Sequence, residues 1–134
     1  MAYNGYLLKA GSDEIPLSFI RYDTYHIQPK QRQDLDPYRD VNGVLHRNVV
    51  ENMPSVIEFN TPTLYANQLQ SFLNIIRGNY SSSKERKLEI TYYNPETDSY
   101  KSGEFYMAQP DFSIKQIIDG KIMYNEMTIN FIEY

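Results

Sequence analysis

Residues 88–107, LEITYYNPETDSYKSGEFYM, read as two strands and the turn that joins them. From Lys87 to Tyr93, Leu88, Ile90 and Tyr92 alternate with Glu89, Thr91 and Tyr93, the period of a strand with its two faces in different surroundings. Asn94-Pro95-Glu96-Thr97-Asp98 then gathers turn formers: Pro presets φ, and Asn and Asp bond their own backbone. Tyr100 to Met107 carries the chain back. A hairpin of this kind points to antiparallel β structure.

Outward from it the pattern continues. Phe112 to Ile118 and Lys121 to Tyr134 read as strands joined by Asp119-Gly120, a two-residue hairpin signal. Upstream, past a polar loop NYSSSKER, lies the best helix signal. Thr61 is placed to cap it and Pro62 to begin it; Tyr65, Leu69, Phe72, Leu73 and Ile76 form one apolar stripe, and Gly78 stops it. Such a stripe is core packing. Before the helix, SVIEFN (Ser55 to Asn60) is a strand with Ile57 and Phe59 on one face. Tyr6 to Lys9 and Ile15 to Ile27 read as strands around a GSDE turn, with a change of parity between Tyr22 and Tyr25 that predicts a bulge or bend. With 134 residues and 15.8 kDa, the sequence predicts one domain over 1–134. Its expected class is α+β, mainly β with one helix, built as an antiparallel sandwich or barrel.

One segment does not fit a core. Gln28 to Met53 is charge-dense and short of large aliphatics, with Lys30, Arg32, Arg39 and Arg47 against Asp34, Asp36, Asp40 and Glu51. At its centre stands YRDVNGVLHR, Tyr38 to Arg47. Asn42-Gly43 favours a type I′ turn, which pairs Val41 with Val44, Asp40 with Leu45, Arg39 with His46 and Tyr38 with Arg47. One face then carries Tyr38, Asp40, Leu45 and Arg47, the other Arg39, Val41, Val44 and His46. Neither is a core face. A lone two-stranded ribbon is marginal in water, so this one is expected either to be disordered, or to stay a solvated hairpin with ion pairs of its own, or to find its cover outside its own domain, where the natural cover is another copy of the chain. A ribbon laid on a neighbour is a heterologous contact, the kind that closes rings or runs on into tubes. The predicted subunit contact is Tyr38, Arg39, Asp40, Val41, Asn42, Gly43, Val44, Leu45 and Arg47, with Arg39 and Arg47 reaching a neighbour's Glu51, Glu96 or Asp98.

Little else carries chemistry. A net charge of −4 and a pI near 5.1, with no cluster of Lys and Arg, argue against a sequence-specific nucleic-acid footprint. With no Cys there are no disulfides, thiol nucleophiles or Cys-based zinc sites. His26 and His46 are the only histidines, and Ser81 to Ser83 lack a nucleophile-elbow glycine pattern, so no catalytic residue is predicted. The acidic run from Asp34 to Asp40 fails the EF-hand test, because Tyr38 takes a ligand position and Arg39 the glycine's. No metal or cofactor is predicted. Thirteen Tyr against six Phe and no Trp suit half-wet surfaces, and Tyr92, Tyr93, Tyr100 and Tyr106 form either a glycan platform or cross-strand pairs. The opening MAYNGYLLKAGSDE has no basic segment before an apolar run, and no stretch is long and apolar enough for a membrane span. Synthesis and folding in the cytoplasm are expected.

The segments RQDLDPYRDVNGVLHRNV, VIEFNTP, LEITYYNPETDSYKSGEFYM and the terminal FIEY resemble a group of small proteins in the tail-gene modules of phages and prophages of Gram-positive bacteria. The resemblance runs from about Arg32 to Tyr134. It implies a non-enzymatic virion structural protein of the tail or baseplate, partnered by copies of itself in a ring and by other tail proteins. It also implies a tail-tube-like fold in which a long early hairpin, here the one around Asn42-Gly43, docks on the next subunit. The alternative expectation is a carbohydrate-binding module of a baseplate, with or without calcium.

Overall fold

The structure, a computed structural model, describes residues 3–134. Strand β1 (Leu8–Ala10) turns back through Gly11, at φ +60°, into β2 (Asp13–Glu14). The long strand expected over Ile15 to Ile27 is not formed. Its place is taken by two single 3₁₀ turns, Leu17–Phe19 and Tyr22–Thr24, before β3 (His26–Gln28). Pro16 has no N–H for a ladder, but its carbonyl accepts from the Phe19 amide at 3.1 Å and starts the first turn. Thr24 Oγ1 donates to the Arg21 carbonyl at 2.7 Å and closes the second. Ile15 and Ile20 still go inside, so the apolar residues of this stretch cover one end of the core instead of extending a sheet.

After a two-stranded ribbon, β4 (Tyr38–Arg39) and β5 (Leu45–His46), comes β6 (Val56–Asn60), then a short β7 (Leu64–Tyr65) and helix α1 (Ala66–Arg77). The helix starts one turn later than Thr61-Pro62 predicts. Thr61 is wholly buried and committed elsewhere: its amide donates to the Met127 carbonyl at 2.9 Å and its hydroxyl accepts from the Met127 amide at 3.3 Å. The first turn is capped by Gln68, whose side-chain oxygen accepts from the Tyr65 amide at 2.9 Å. The chain leaves the helix at Gly78. Part of the polar loop then pairs as β8 (Tyr80–Ser82), before β9 (Lys87–Asn94) and β10 (Ser99–Met107) make the long hairpin. Next come β11 (Ile114–Ile118), β12 (Lys121–Tyr124) and β13 (Thr128–Glu133). The single strand read over Lys121 to Tyr134 is therefore two, broken around Asn125, and the halves belong to different sheets.

All pairings are antiparallel. The main sheet has the order β2-β1-β9-β10-β13-β6-β3, with β8 also on β9; a second sheet has the order β11-β12-β7; among the described residues β4 and β5 pair only with each other. The main sheet is open, with β2 and β3 at its ends, and does not close into a barrel. One of its faces is apolar: Leu88, Ile90 and Tyr92 on β9, Phe105 and Met107 on β10, Ile129 and Phe131 on β13, Ile57 and Phe59 on β6, all buried. Leu69, Phe72 and Ile76 of α1 lie on it, with the Phe72 ring 5.3 Å from Phe19 and 6.5 Å from Phe59. This is the stripe read in the sequence, except that Tyr65 is exposed and Leu73 only half buried.

Candidate functional site

The predicted contact residues all lie on the ribbon. It is rooted at Ser55, which is fully buried at the start of β6. The Ser55 amide donates to Glu133 Oε1 at 2.8 Å, its carbonyl accepts from the Glu133 amide at 3.0 Å, and its hydroxyl accepts from the Lys30 amide at 3.1 Å and shares a hydrogen bond with the buried Tyr92 hydroxyl at 3.1 Å. Every polar group of Ser55 is thus used, tying the base of the ribbon to the core. From there the two limbs run together: Gln31 bonds Pro54, the Val50 amide donates to Gln33 at 2.8 Å, and Asp34 faces Val49. Arg47 Nε donates to Asp34 Oδ1 at 2.9 Å across the limbs. Between this point and Tyr38 the first limb carries one residue more than the second, taken up at Asp36, whose φ is +51° just ahead of Pro37.

The tip departs from the expected register by one residue. Tyr38 faces His46 and Arg39 faces Leu45. The loop has three residues, not two: the Gly43 amide donates to the Asp40 carbonyl at 2.9 Å, the Asp40 amide to the Val44 carbonyl at 3.0 Å, and Gly43 alone has positive φ, +80°, while Asn42 does not. This is a type I turn closed by a glycine bulge. Asp40 selects it. Its Oδ1 accepts from the Asn42 amide at 2.9 Å and the Val44 amide at 3.1 Å, bonds that a type I′ turn does not offer. The shift moves the second limb's side chains to the opposite faces. Tyr38, Asp40, Val44 and His46 now share a face, so the Tyr38 and His46 rings stack at 4.8 Å and 8°, and His46 Nε2 meets Asp40 Oδ2 at 3.0 Å. The His46 bond and then the Val44 amide hold the Asp40 carboxyl below the usual carboxylate range. Arg39 Nη1 donates to the Gly43 carbonyl at 2.8 Å.

The ribbon is therefore braced internally and bare externally. Among the described residues from Gln31 to Val49, only Asp34 and Asp40 are even half-buried, and Val41 is as exposed as a free side chain. Its tip stands roughly 23 Å beyond the Asp34 pairing, at about 3.3 Å per residue.

Other candidates separate. Tyr92 points into the core, on the opposite face to Tyr93 and Tyr100. Tyr93 and Tyr100 pair edge to face at 5.6 Å, and Tyr6 stacks on Tyr100 at 4.5 Å. Tyr106 sits on Tyr134, 5.7 Å away at the far end of the hairpin. The four tyrosines thus make cross-strand packing, not one platform. His26 lies 3.3 Å from Glu58 and His46 on Asp40; among the described residues neither has a hydroxyl partner. Asp34 and Asp40 diverge to Arg47 and His46, and among the described residues no three His, Cys, Asp or Glu side chains converge as a metal site. No helix among them is long and apolar enough to cross a membrane.

One surface was missed in the sequence. All five residues of β11 are exposed, including Ile114, Ile117 and Ile118, with Phe112 just before them. The β11–β12 turn is the two-residue type expected, Asp119 at φ +52° and Gly120 at +75°. Beside it, a groove of about 550 Å³ lies against the start of α1, bounded by Tyr65, Gln68, Gly120, Lys121 and Ile122. The available signal was IKQII, apolar on both strand faces where a half-buried strand alternates.

The family model of a family of unknown function, DUF6711, matches residues 1–134. The chain belongs to this family. No curated protein matches this DUF6711 chain. Among solved structures, the tail of an empty GTA (gene transfer agent) particle, computed by helical refinement with C6 symmetry, has a similar fold. Its TM-score is 0.56 at 13% identity, over 99% of this chain and 95% of that one.

Proposed function

We propose that this DUF6711 protein is a non-enzymatic structural subunit of a phage-like tail, assembling with copies of itself through the ribbon Asp36 to Val49. The observation that carries the reading is the likeness of fold, over nearly the whole of both chains, to a subunit of a C6-symmetric tail. The ribbon supports it independently. A two-stranded arm with its own capped turn, anchored at a fully bonded buried serine, is held in shape where nothing among the described residues of its own chain covers it. Partners on this reading are copies of the chain in a ring and other tail proteins; the protein is made in the host cytoplasm and ends in the virion tail. Tube, tail-completion and baseplate positions all fit it.

The test is deletion of Asp40 to Leu45. The shortened chain is expected to fold, with an unchanged circular dichroism spectrum, and to remain monomeric by light scattering at concentrations where the parent forms multimers. Rings or tubes from the shortened chain in negative-stain images would overturn the reading.

A further inference from the structure

Exposed apolar side chains are not scattered over this molecule. Of the thirteen large hydrophobic residues that stand exposed among the described residues, six lie on the ribbon: Leu35, Tyr38, Val41, Val44, Leu45 and Val49. Five more, Tyr65, Phe112, Ile114, Ile117 and Ile118, lie on or beside the β11-β12-β7 sheet; only Tyr22 and Tyr134 fall elsewhere. Single exposed apolar residues need no explanation, whereas contiguous patches mark contacts. A heterologous assembly needs two different patches on each chain, one to give and one to receive. The chain has two.

We infer that the surface formed by β11, the β11–β12 turn and the start of α1 is the receiving site for the ribbon of a second copy of this chain. This rests on the assembly reading above and names the partner of its contact. Strand β11 is an end strand with no neighbour on its outer side among the described residues, and natural proteins seldom leave an exposed end strand so apolar unless something pairs with it or covers it. The groove between Ile122, Tyr65 and Gly120 is the adjoining recess for the ribbon's foremost side chain, Val41. The ribbon is suited to give: its tip projects roughly 23 Å beyond the Asp34 pairing, at about 3.3 Å per residue, and all its hydrogen bonds beyond Asp34 are internal among the described residues.

The chain has no cysteine, so introduced thiols report alone. The full-length protein carrying both Val41→Cys and Ile117→Cys, treated with a short thiol-specific cross-linker under assembling conditions, is expected to give a ladder of covalent multimers on a denaturing gel. Neither single variant should give one. In parallel, Ile117→Lys is expected to keep the parent's melting temperature and lose assembly at least tenfold in concentration. Assembly without cross-linking of the double variant overturns the inference and leaves the proposed function standing, as does dimerisation of the Ile117→Cys variant alone, which would mean that β11 pairs with itself. Normal assembly by Ile117→Lys overturns it too. Failure of the parent chain to assemble at any concentration, alone or with other tail proteins, overturns both.

Discussion

The β9–β10 hairpin and the ribbon begin from similar local chemistry and end in opposite environments. Each closes with an Asx side chain on its own turn: Asn94 Oδ1 accepts from the Glu96 amide at 2.9 Å, and Asp40 Oδ1 accepts from the Asn42 amide at the same distance. On β9 the side chains that lead into the turn are Leu88, Ile90 and Tyr92, and they bury completely. On the ribbon the polar and aromatic partners satisfy one another, Tyr38 on His46 and His46 on Asp40, and the apolar ones stay in water. Turn chemistry makes a hairpin; the side-chain faces decide whether it joins the core.

Truncation separates the two regions most sharply. Phe105→Ala, inside the sheet, is expected to cost about 3–5 kcal/mol, a large part of a domain's total stability, and to lower the melting temperature or prevent folding. Val41→Ala and Leu45→Ala, in the ribbon, should shift stability by less than about 0.5 kcal/mol while weakening assembly, measured by thermal denaturation and light scattering on the same samples. A core-sized loss of stability from either ribbon variant would show that the arm packs on its own domain. Ser55→Ala lies between the two. It strips the Tyr92 hydroxyl and the Lys30 amide of their partner, with an expected cost of about 1–3 kcal/mol, and it should speed hydrogen exchange at the ribbon's root.

Smaller effects are local. Gly43→Ala meets no neighbour but forces a φ of +80° on an L side chain, so about 1–2 kcal/mol of strain should appear as faster exchange of the amides at positions 43 and 44 with the melting temperature unmoved. Acid should act on the same turn. The Asp40 carboxyl is held below its ordinary range by His46 and the turn amides, so its bracing is complete above that range and is lost as pH falls through the lowered value. Exchange-corrected amide protection at Asn42 and Val44 should fall there, and Asp40→Asn should abolish that pH dependence.

Most of the architecture was legible. Alternation located β9 and β6, the turn at Asn94 to Asp98 placed β10 as the returning strand, and Asp119-Gly120 located the β11–β12 turn. What failed was chemistry in which a side chain or carbonyl took a partner, near or distant, other than the one its local pattern suggested. Thr61 looked like a helix cap but is bonded to Met127, sixty-six residues away in sequence. Asn42-Gly43 looked like a two-residue turn, but the Asp40 carboxylate, two residues ahead of Asn42, bonds the Asn42 and Val44 amides and sets a longer loop. Pro16 and Thr24 turned an apolar run into 3₁₀ turns, the Pro16 carbonyl accepting from the Phe19 amide and the Thr24 hydroxyl donating to the Arg21 carbonyl while receiving the Asn60 amide. The ribbon as a bare arm was visible because its residues suit no core. Its root at Ser55 and Glu133 was not, since a serine and a glutamate seventy-eight positions apart carry no local pattern. The apolar β11 surface was readable but unread: a strand with isoleucine on both faces demands cover on both.

The ribbon, bare in the single chain, is proposed to be covered by assembly. Hydrogen–deuterium exchange on the same preparation, dispersed and assembled, tests it most directly. Peptides spanning residues 36–49 should gain strong protection on assembly while those spanning 88–107 stay as they were; equal exchange of the ribbon in both states would contradict the account.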